Sequence, residues 1–95
     1  MTGQVPSIEL LESTHKFPCV FTFKAIGLTS NDFVDRVLAA VKHELKTDVD
    51  PPYSSRVTAG VKHTSVTIEP TVTSAEQVIA IYHSIHAVEG IVMMM

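Results

Sequence analysis

Hydrophobic and polar positions along this chain repeat with two different periods, and the order of those periods predicts a fold. From residue 17 to residue 95 the pattern reads strand, helix, strand, strand, helix, strand. Alternation with a period of two is typical of a strand with one buried face, and a period of about 3.6 residues is typical of an amphipathic helix. The same order defines the split βαβ unit, so the chain is expected to form a ferredoxin-like α+β sandwich.

The first strand is predicted over residues 17–26, and Gly27 is expected to end it. Alternate residues of this strand fall on one apolar face, which is expected to face the core. That face comprises Phe17, Cys19, Phe21, Phe23 and Ala25. Because Pro18 cannot donate a backbone hydrogen bond, regular pairing is expected to begin after it.

The first helix is expected to follow directly, with Thr29 or Ser30 as its N-cap. Its apolar residues recur at helical spacing and are predicted to pack on the sheet. They are Phe33, Val34, Val37, Leu38, Val41 and Leu45. Residues 47–52 contain two aspartates and two prolines, so they are expected to end the helix and turn the chain.

Two strands and a second helix are predicted in the remaining chain, followed by a short last strand. Residues 53–59 are rich in serine and threonine and are expected at a sheet edge, whereas residues 65–69 alternate clearly. Ser74 with Gln77 three residues later is the pattern of a capping box. The second helical stripe comprises Val78, Ile81, Tyr82 and Ile85. Gly90 is expected in the turn before a last strand over residues 91–95.

These elements predict one domain with two layers. Two helices on one face of a four-stranded antiparallel sheet bury both apolar stripes, and right-handed crossovers give the spatial strand order 4-1-3-2. The domain is expected to span residues 17–95. Residues 1–16 are expected to form an N-terminal extension with a short helical turn around Leu10.

Composition excludes several classes of function. The chain has 95 residues and a net charge of −3, with lysine and arginine scattered singly, so nucleic-acid binding is not expected. Cys19 is the only cysteine, which excludes an internal disulfide and a cysteine-based metal cage. No cofactor is expected.

The first residues do not resemble a signal peptide, and no apolar run approaches the ~20 residues that span a bilayer, so a cytoplasmic protein without membrane contact is expected.

Candidate chemistry is sparse. His83 and His86 lie three residues apart on the second helix, but a metal site needs further ligands, and exposed helix histidines are the expected outcome. Cys19 is expected to be a small buried hydrophobe. The chain lacks the arginine and asparagine loop of acylphosphatases and the Cys-x-x-Cys of copper chaperones. The polar face of its third strand, Ser65 to Glu69, carries none of the aromatic residues of an RNA-recognition motif.

One junction is a candidate binding site. Backbone N–H groups at a helix N-terminus attract anions, and a glycine allows another group to approach closely. The candidate ligand-binding residues are therefore Gly27, Leu28, Thr29, Ser30 and Asn31, between the first strand and the first helix. A capped helix start without a ligand is the alternative.

The sequence resembles the YbeD-like family of small bacterial proteins over about residues 8–95. The resemblance rests on Gly27, Tyr82 and residues 9–12 (ELLE), 17–18 (FP), 21–24 (FTFK), 33–37 (FVDRV), 65–68 (SVTI), 76–78 (EQV) and 90–93 (GIVM). It implies a ferredoxin-like fold similar to the ACT-type regulatory domains, in which the junction after the first strand binds small ligands. It also implies a link with lipoate metabolism, because some members are named as regulators of it. The chain departs from the family in the turn at residues 58–63 (TAGVKH).

The expected function is a non-enzymatic regulatory or binding domain that acts through a protein partner or a small-molecule effector. A structural interaction module that forms a homodimer through its sheet edge is the first alternative, because residues 53–59 predict an open edge. A hydrolase using His63 or His83 is the second.

Overall fold

The computed structural model describes residues 6–29, 32–58, 60 and 62–94, which form three helices and six strands. The helices are α1 (Ile8–Thr14), α2 (Phe33–Leu45) and α3 (Ala75–His86). The strands are β1 (Cys19–Val20), β2 (Phe23–Leu28), β3 (Tyr53–Val57), β4 (His63–Ile68), β5 (Thr71–Val72) and β6 (Ile91–Met94).

Strands β2, β3, β4 and β6 form one antiparallel sheet in the order β6-β2-β4-β3. Numbered as the four strands of the predicted sandwich, this is the order 4-1-3-2, so the predicted topology is confirmed. Strands β2 and β4 are central, whereas β3 and β6 are the two edges. The expected edge position of residues 53–57 is thereby confirmed, and Ala59 lies outside the described residues.

The first strand differs from its prediction in two ways. It is interrupted at Phe21, and the preceding segment β1 pairs with β5 in a separate two-stranded sheet. The backbone N–H of Phe21 donates to the carbonyl of Pro70 at 3.0 Å. The segment that follows β4 therefore pairs with β1, and β1 does not extend the main sheet. Gly27 does not end the strand either, because β2 continues through Leu28.

One hydrophobic core lies between the sheet and helices α2 and α3, which contact each other. The predicted stripes supply it, together with the inward residues of β2 and β4. Its members without any exposed surface are Phe23, Ala25, Val37, Val41, Val66, Ile68, Val72, Val78, Ile81 and Ile85. Helix α1 packs against α3 and buries Leu11. Phe17, Cys19 and Phe21 are only half-buried, at the margin of this core.

The two long helices begin differently. Ser74 Oγ accepts a hydrogen bond from the N–H of Gln77 at 3.1 Å, which confirms the predicted cap of α3, although Gln77 Oε1 accepts from the N–H of Thr73. Helix α2 begins at Phe33 with Asp32 as its N-cap, in a left-handed conformation (φ 67°) and without a side-chain cap bond. The expected cap at Thr29 was therefore wrong, and Ser30 lies outside the described residues.

The helices in the described part of the chain are too short or too polar to cross a membrane. Helix α2, the longest of them, has 13 residues. A transmembrane helix needs ~20 predominantly apolar residues.

Candidate functional site

The junction after β2 is largely occupied by the protein itself. Gly27 is buried, and a Cβ added to it would overlap the ring of Phe33 and lie 2.9 Å from the carbonyl oxygen of Gly90. The close approach that the glycine permits is therefore made by Phe33, the first residue of α2. No ligand group can reach Gly27 from that side without displacing the ring.

The next two residues use their backbone donors within the fold. The N–H of Leu28 donates to the carbonyl of Gly90 at 2.9 Å, and the N–H of Thr29 donates to the carbonyl of Lys62 at 2.8 Å. The hydroxyl of Thr29 also shares a hydrogen bond of 2.9 Å with the hydroxyl of Thr64. What Leu28 and Thr29 still offer a ligand is side-chain surface, since both are exposed.

Two of the five candidate residues at this junction, Ser30 and Asn31, lie outside the described residues. The structure brings Gly27, Leu28 and Thr29 together as consecutive residues at the end of β2, and the ligand site stays a proposal.

The face of the sheet that carries no helices has a polar cleft. In β2 and β4 this open face holds the residues that alternate with the buried ones. The cleft has a volume of about 390 Å³. It is lined by Lys24, Ser54, Ser55, Arg56, Ser65 and Thr67.

The register of three strands sets the positions of the two cations in this cleft. Lys24 of β2 lies opposite Thr67 of β4, which lies opposite Ser54 of β3. One step along, Arg56 of β3 lies opposite Ser65 of β4. The two cations therefore stand diagonally across β4, with hydroxyl groups between them.

Neither cation is neutralised by another described residue. In the part of the chain that the structure describes, Lys24 and Arg56 make no ion pair and no side-chain hydrogen bond, whereas Lys42 Nζ pairs with Asp50 Oδ1 at 2.8 Å. None of the six lining residues is acidic. The cleft is thus a locally cationic surface on a chain whose net charge is −3.

Strand β3 is an open edge. All five of its residues are exposed, including Tyr53 (47%) and Val57 (50%). The N–H of Thr58 donates to the carbonyl of His63, and the carbonyl of Pro52 accepts from the N–H of Glu69, both at 2.8 Å.

These two bonds decide which backbone groups of β3 remain free. Residues whose N–H and C=O face the partner strand alternate with residues whose groups face away. Ser54 and Arg56 therefore bond to β4. The groups of Tyr53, Ser55 and Val57 point outward from the sheet.

The remaining candidates within the described residues are not brought together into a site. His83 and His86 are exposed on α3 as expected, whereas Cys19, which was expected to be buried, is half-buried in β1 beside the core. No group of three or more His, Cys, Asp or Glu within the described residues is placed to hold a metal ion.

Burial against the phenylalanine cluster raises the pKa of Tyr82, whose ring packs edge-on against Phe23.

Sequence reasoning did not identify the cleft, although one signal for it was present. Lys24 and the polar residues of β4 were on the predicted outer faces of their strands. Arg56 joins them only through the register of β3 against β4, which period-two alternation does not reveal.

Similar proteins are known in bacteria. A model of the family described as protein of unknown function (DUF493) matches residues 12–95. A UPF0250 protein of Shewanella amazonensis is 40% identical over 76 residues, which cover 80% of this chain and 84% of that protein. One of Shewanella woodyi is 40% identical over 83 residues, covering 87% and 88%, and one of Shewanella sediminis is 36% identical over the same length.

Proposed function

The chain belongs to the DUF493 family, as its resemblance to the YbeD-like proteins implied, and from that premise we propose that it is a non-enzymatic regulatory or binding domain of the ACT-like type. It acts in the cytoplasm by holding a partner. The observation that carries the proposal is the open edge of β3.

An exposed edge strand is a template for pairing with another strand, and proteins that do not use such an edge usually shorten, bulge or charge it. Strand β3 pairs with β4 in regular register over all five residues, and Arg56 is its single charged residue. Its outward N–H and C=O groups at Tyr53, Ser55 and Val57 gain partners when another strand is added. This favours a binding role for the edge.

The partner that fits the edge is a second copy of the chain. An antiparallel arrangement centred on Ser55 places Ser55 opposite its equivalent and Tyr53 opposite Val57 of the other copy. Each of these pairs joins two residues with outward backbone groups, so each exchanges two hydrogen bonds.

Side chains support the same register. Tyr53 and Val57 form aromatic–β-branched cross-strand pairs on the helix side, a favourable combination. On the open face Ser54 lies opposite Arg56 of the other copy, so a hydroxyl meets a guanidinium. Centring the pair on Arg56 would instead set two guanidinium groups against each other, which is unfavourable.

Sedimentation velocity tests the edge with two variants of one residue. Ser55→Pro removes an outward N–H without removing a bond to β4, and proline is tolerated at such an edge position. We expect the unchanged protein to dimerise with rising concentration and Ser55→Pro to remain monomeric. Ser55→Thr, which keeps the N–H, is expected to dimerise. Only monomer in the unchanged protein at millimolar concentration, or dimerisation of Ser55→Pro, would contradict the proposal.

The small-ligand version of the proposal places an effector at Gly27, Leu28, Thr29, Ser30 and Asn31. Lipoic acid is the first compound to test, because of the link that the resemblance implies, and amino acids are the second. An NMR titration of labelled protein would show shifts of the Leu28 and Thr29 amides if this version holds. Unchanged amides at saturating ligand would remove it while leaving the edge proposal intact.

A further inference from the structure

The open face of the sheet carries a polar cleft that extends from β2 across β4 to β3. We propose that the cleft between Lys24 and Arg56 binds a small organic dianion, such as a dicarboxylate or a phosphate monoester. The cleft volume of about 390 Å³ falls within the range of small-molecule sites. Four hydroxyl-bearing residues complete its lining with the two cations.

The spacing of the cations suits a ligand with two negative charges. They stand two strands and two residues apart, which places their Cα atoms about 12 Å from each other at ordinary strand spacing. Both side chains are long and extend from the sheet toward the space above Ser65 and Thr67. Each carboxylate of a dicarboxylate meets one cation, whereas the single dianionic phosphate of a monoester lies between the two cations. In both cases the hydroxyls between the cations donate further hydrogen bonds.

Charge is the strongest argument for an anion. Among the described residues, two unpaired cations and no acid line the cleft, although acidic residues outnumber lysine and arginine on the chain by 10 to 7. Bringing two cations to one cleft is unfavourable until a counter-charge joins them. A guanidinium also binds carboxylate and phosphate oxygens in a bidentate manner that bulk chloride cannot reproduce.

An apolar strip beside the cleft offers a contact surface for the hydrocarbon part of the ligand. Ile26 lies opposite Ser65 on one side and opposite Met93 of β6 on the other. Both Ile26 and Met93 are half-buried on the open face. A short hydrocarbon chain held on this strip would add contact area that an inorganic anion lacks.

An NMR titration of ¹⁵N-labelled protein tests the site with three probes at constant ionic strength: succinate, glycerol phosphate and the monoanion butyrate. We expect saturable shifts of the Lys24, Arg56, Ser65 and Thr67 amides with a dianion and much weaker ones with butyrate. A preference for succinate or for glycerol phosphate identifies the charged group. Because the cleft lies on the sheet face, its failure would leave the edge proposal untouched.

Three variants with equal change in net charge decide whether the cleft itself binds. Lys24→Gln and Arg56→Gln are each expected to weaken dianion binding by about tenfold or more, since each removes a charge-assisted hydrogen bond. Lys16→Gln, outside the cleft, is expected to leave the affinity for the dianion unchanged. Preserved amide dispersion checks that each variant folds, and either cleft variant is sufficient for the test.

Three outcomes would overturn the proposal. They are an absence of shifts at 10 mM dianion, shifts centred elsewhere, and equal weakening by Lys16→Gln, which would mean that only net charge matters.

Discussion

The ring of Phe33 covers Gly27 so closely that no side chain fits at position 27 without moving it. This contact joins the first residue of α2 to the strand that precedes it. It stabilises the start of a helix whose N-cap, Asp32, makes no side-chain cap bond. The junction therefore depends on packing where a hydrogen-bonded cap is more usual.

Gly27→Ala is expected to destabilise the protein by about 1–3 kcal/mol, because the added methyl group overpacks the site against Phe33 and the Gly90 carbonyl. Urea unfolding would measure the change. Gly60→Ala is the matched control, since a Cβ at Gly60 meets nothing within 4 Å. Equal midpoints for the two variants would contradict the packing account.

The N-terminal helix is expected to contribute to stability through one residue. Leu11 is 3% exposed and packs into the core, whereas the neighbouring Leu10 is 55% exposed. Leu11→Ala is expected to cost about 2–4 kcal/mol of unfolding free energy, and Leu10→Ala much less. Similar thermal midpoints for both variants would show that α1 is not docked as described.

A hydrogen bond joins the two long helices. Ser84 Oγ donates to Glu44 Oε2 at 2.6 Å, in a partly buried position. Ser84→Ala is expected to cost about 1.5–3 kcal/mol, as for a hydrogen bond to a charged acceptor. A double-mutant cycle with Glu44→Ala would isolate the pair, and additive effects of the two substitutions would contradict the contact.

The phenol of Tyr82 is expected to ionise at a higher pH than an exposed tyrosine does. Burial raises its pKa above the ordinary value of 10.0. In a Tyr53→Phe variant Tyr82 is the remaining tyrosine of the two, so its absorbance titration can be followed alone. A midpoint at or below 10 would contradict the burial of its ring.

The same shift predicts a pH dependence of stability. Above the unfolded-state pKa the unfolded chain releases the Tyr82 proton while the folded chain keeps it, so the unfolding free energy falls as pH rises above about 10 through the folded pKa. Below that window Tyr82 contributes no dependence. Tyr82→Phe is expected to reduce the fall, and an unchanged slope in urea unfolding between pH 9 and about pH 11 would refute the assignment.

The order of the elements, and with it the strand order of the main sheet, was predictable because each long element carries its own period. Phe33, Val37 and Val41 recur at helical spacing and are buried in α2. The exposed edge at residues 53–57 followed from the serine and threonine content of residues 53–59. These features depend on neighbouring residues, which the sequence displays directly.

The features that were missed depend on contacts between distant residues. The single predicted first strand is divided because Pro70, about fifty residues away in the chain, accepts the Phe21 N–H. Gly27 was interpreted as a strand terminator because nothing local reveals that Phe33 needs its space. The cleft required the register that brings Arg56 to the same face as Lys24. Register and long-range pairing are the information that hydrophobic periodicity lacks.

The central claim is that β3 pairs with β3 of a second copy about Ser55. An isotope-filtered NOE experiment on an equal mixture of labelled and unlabelled protein tests it directly, at a concentration where dimer is populated. Ser54 and Arg56 form the non-hydrogen-bonded pair across the interface, so their Hα atoms lie close together. We predict an intermolecular NOE between Ser54 Hα of one copy and Arg56 Hα of the other. A dimer whose intermolecular NOEs all arise from β6 or the helices, or a protein that stays monomeric throughout, would contradict the claim.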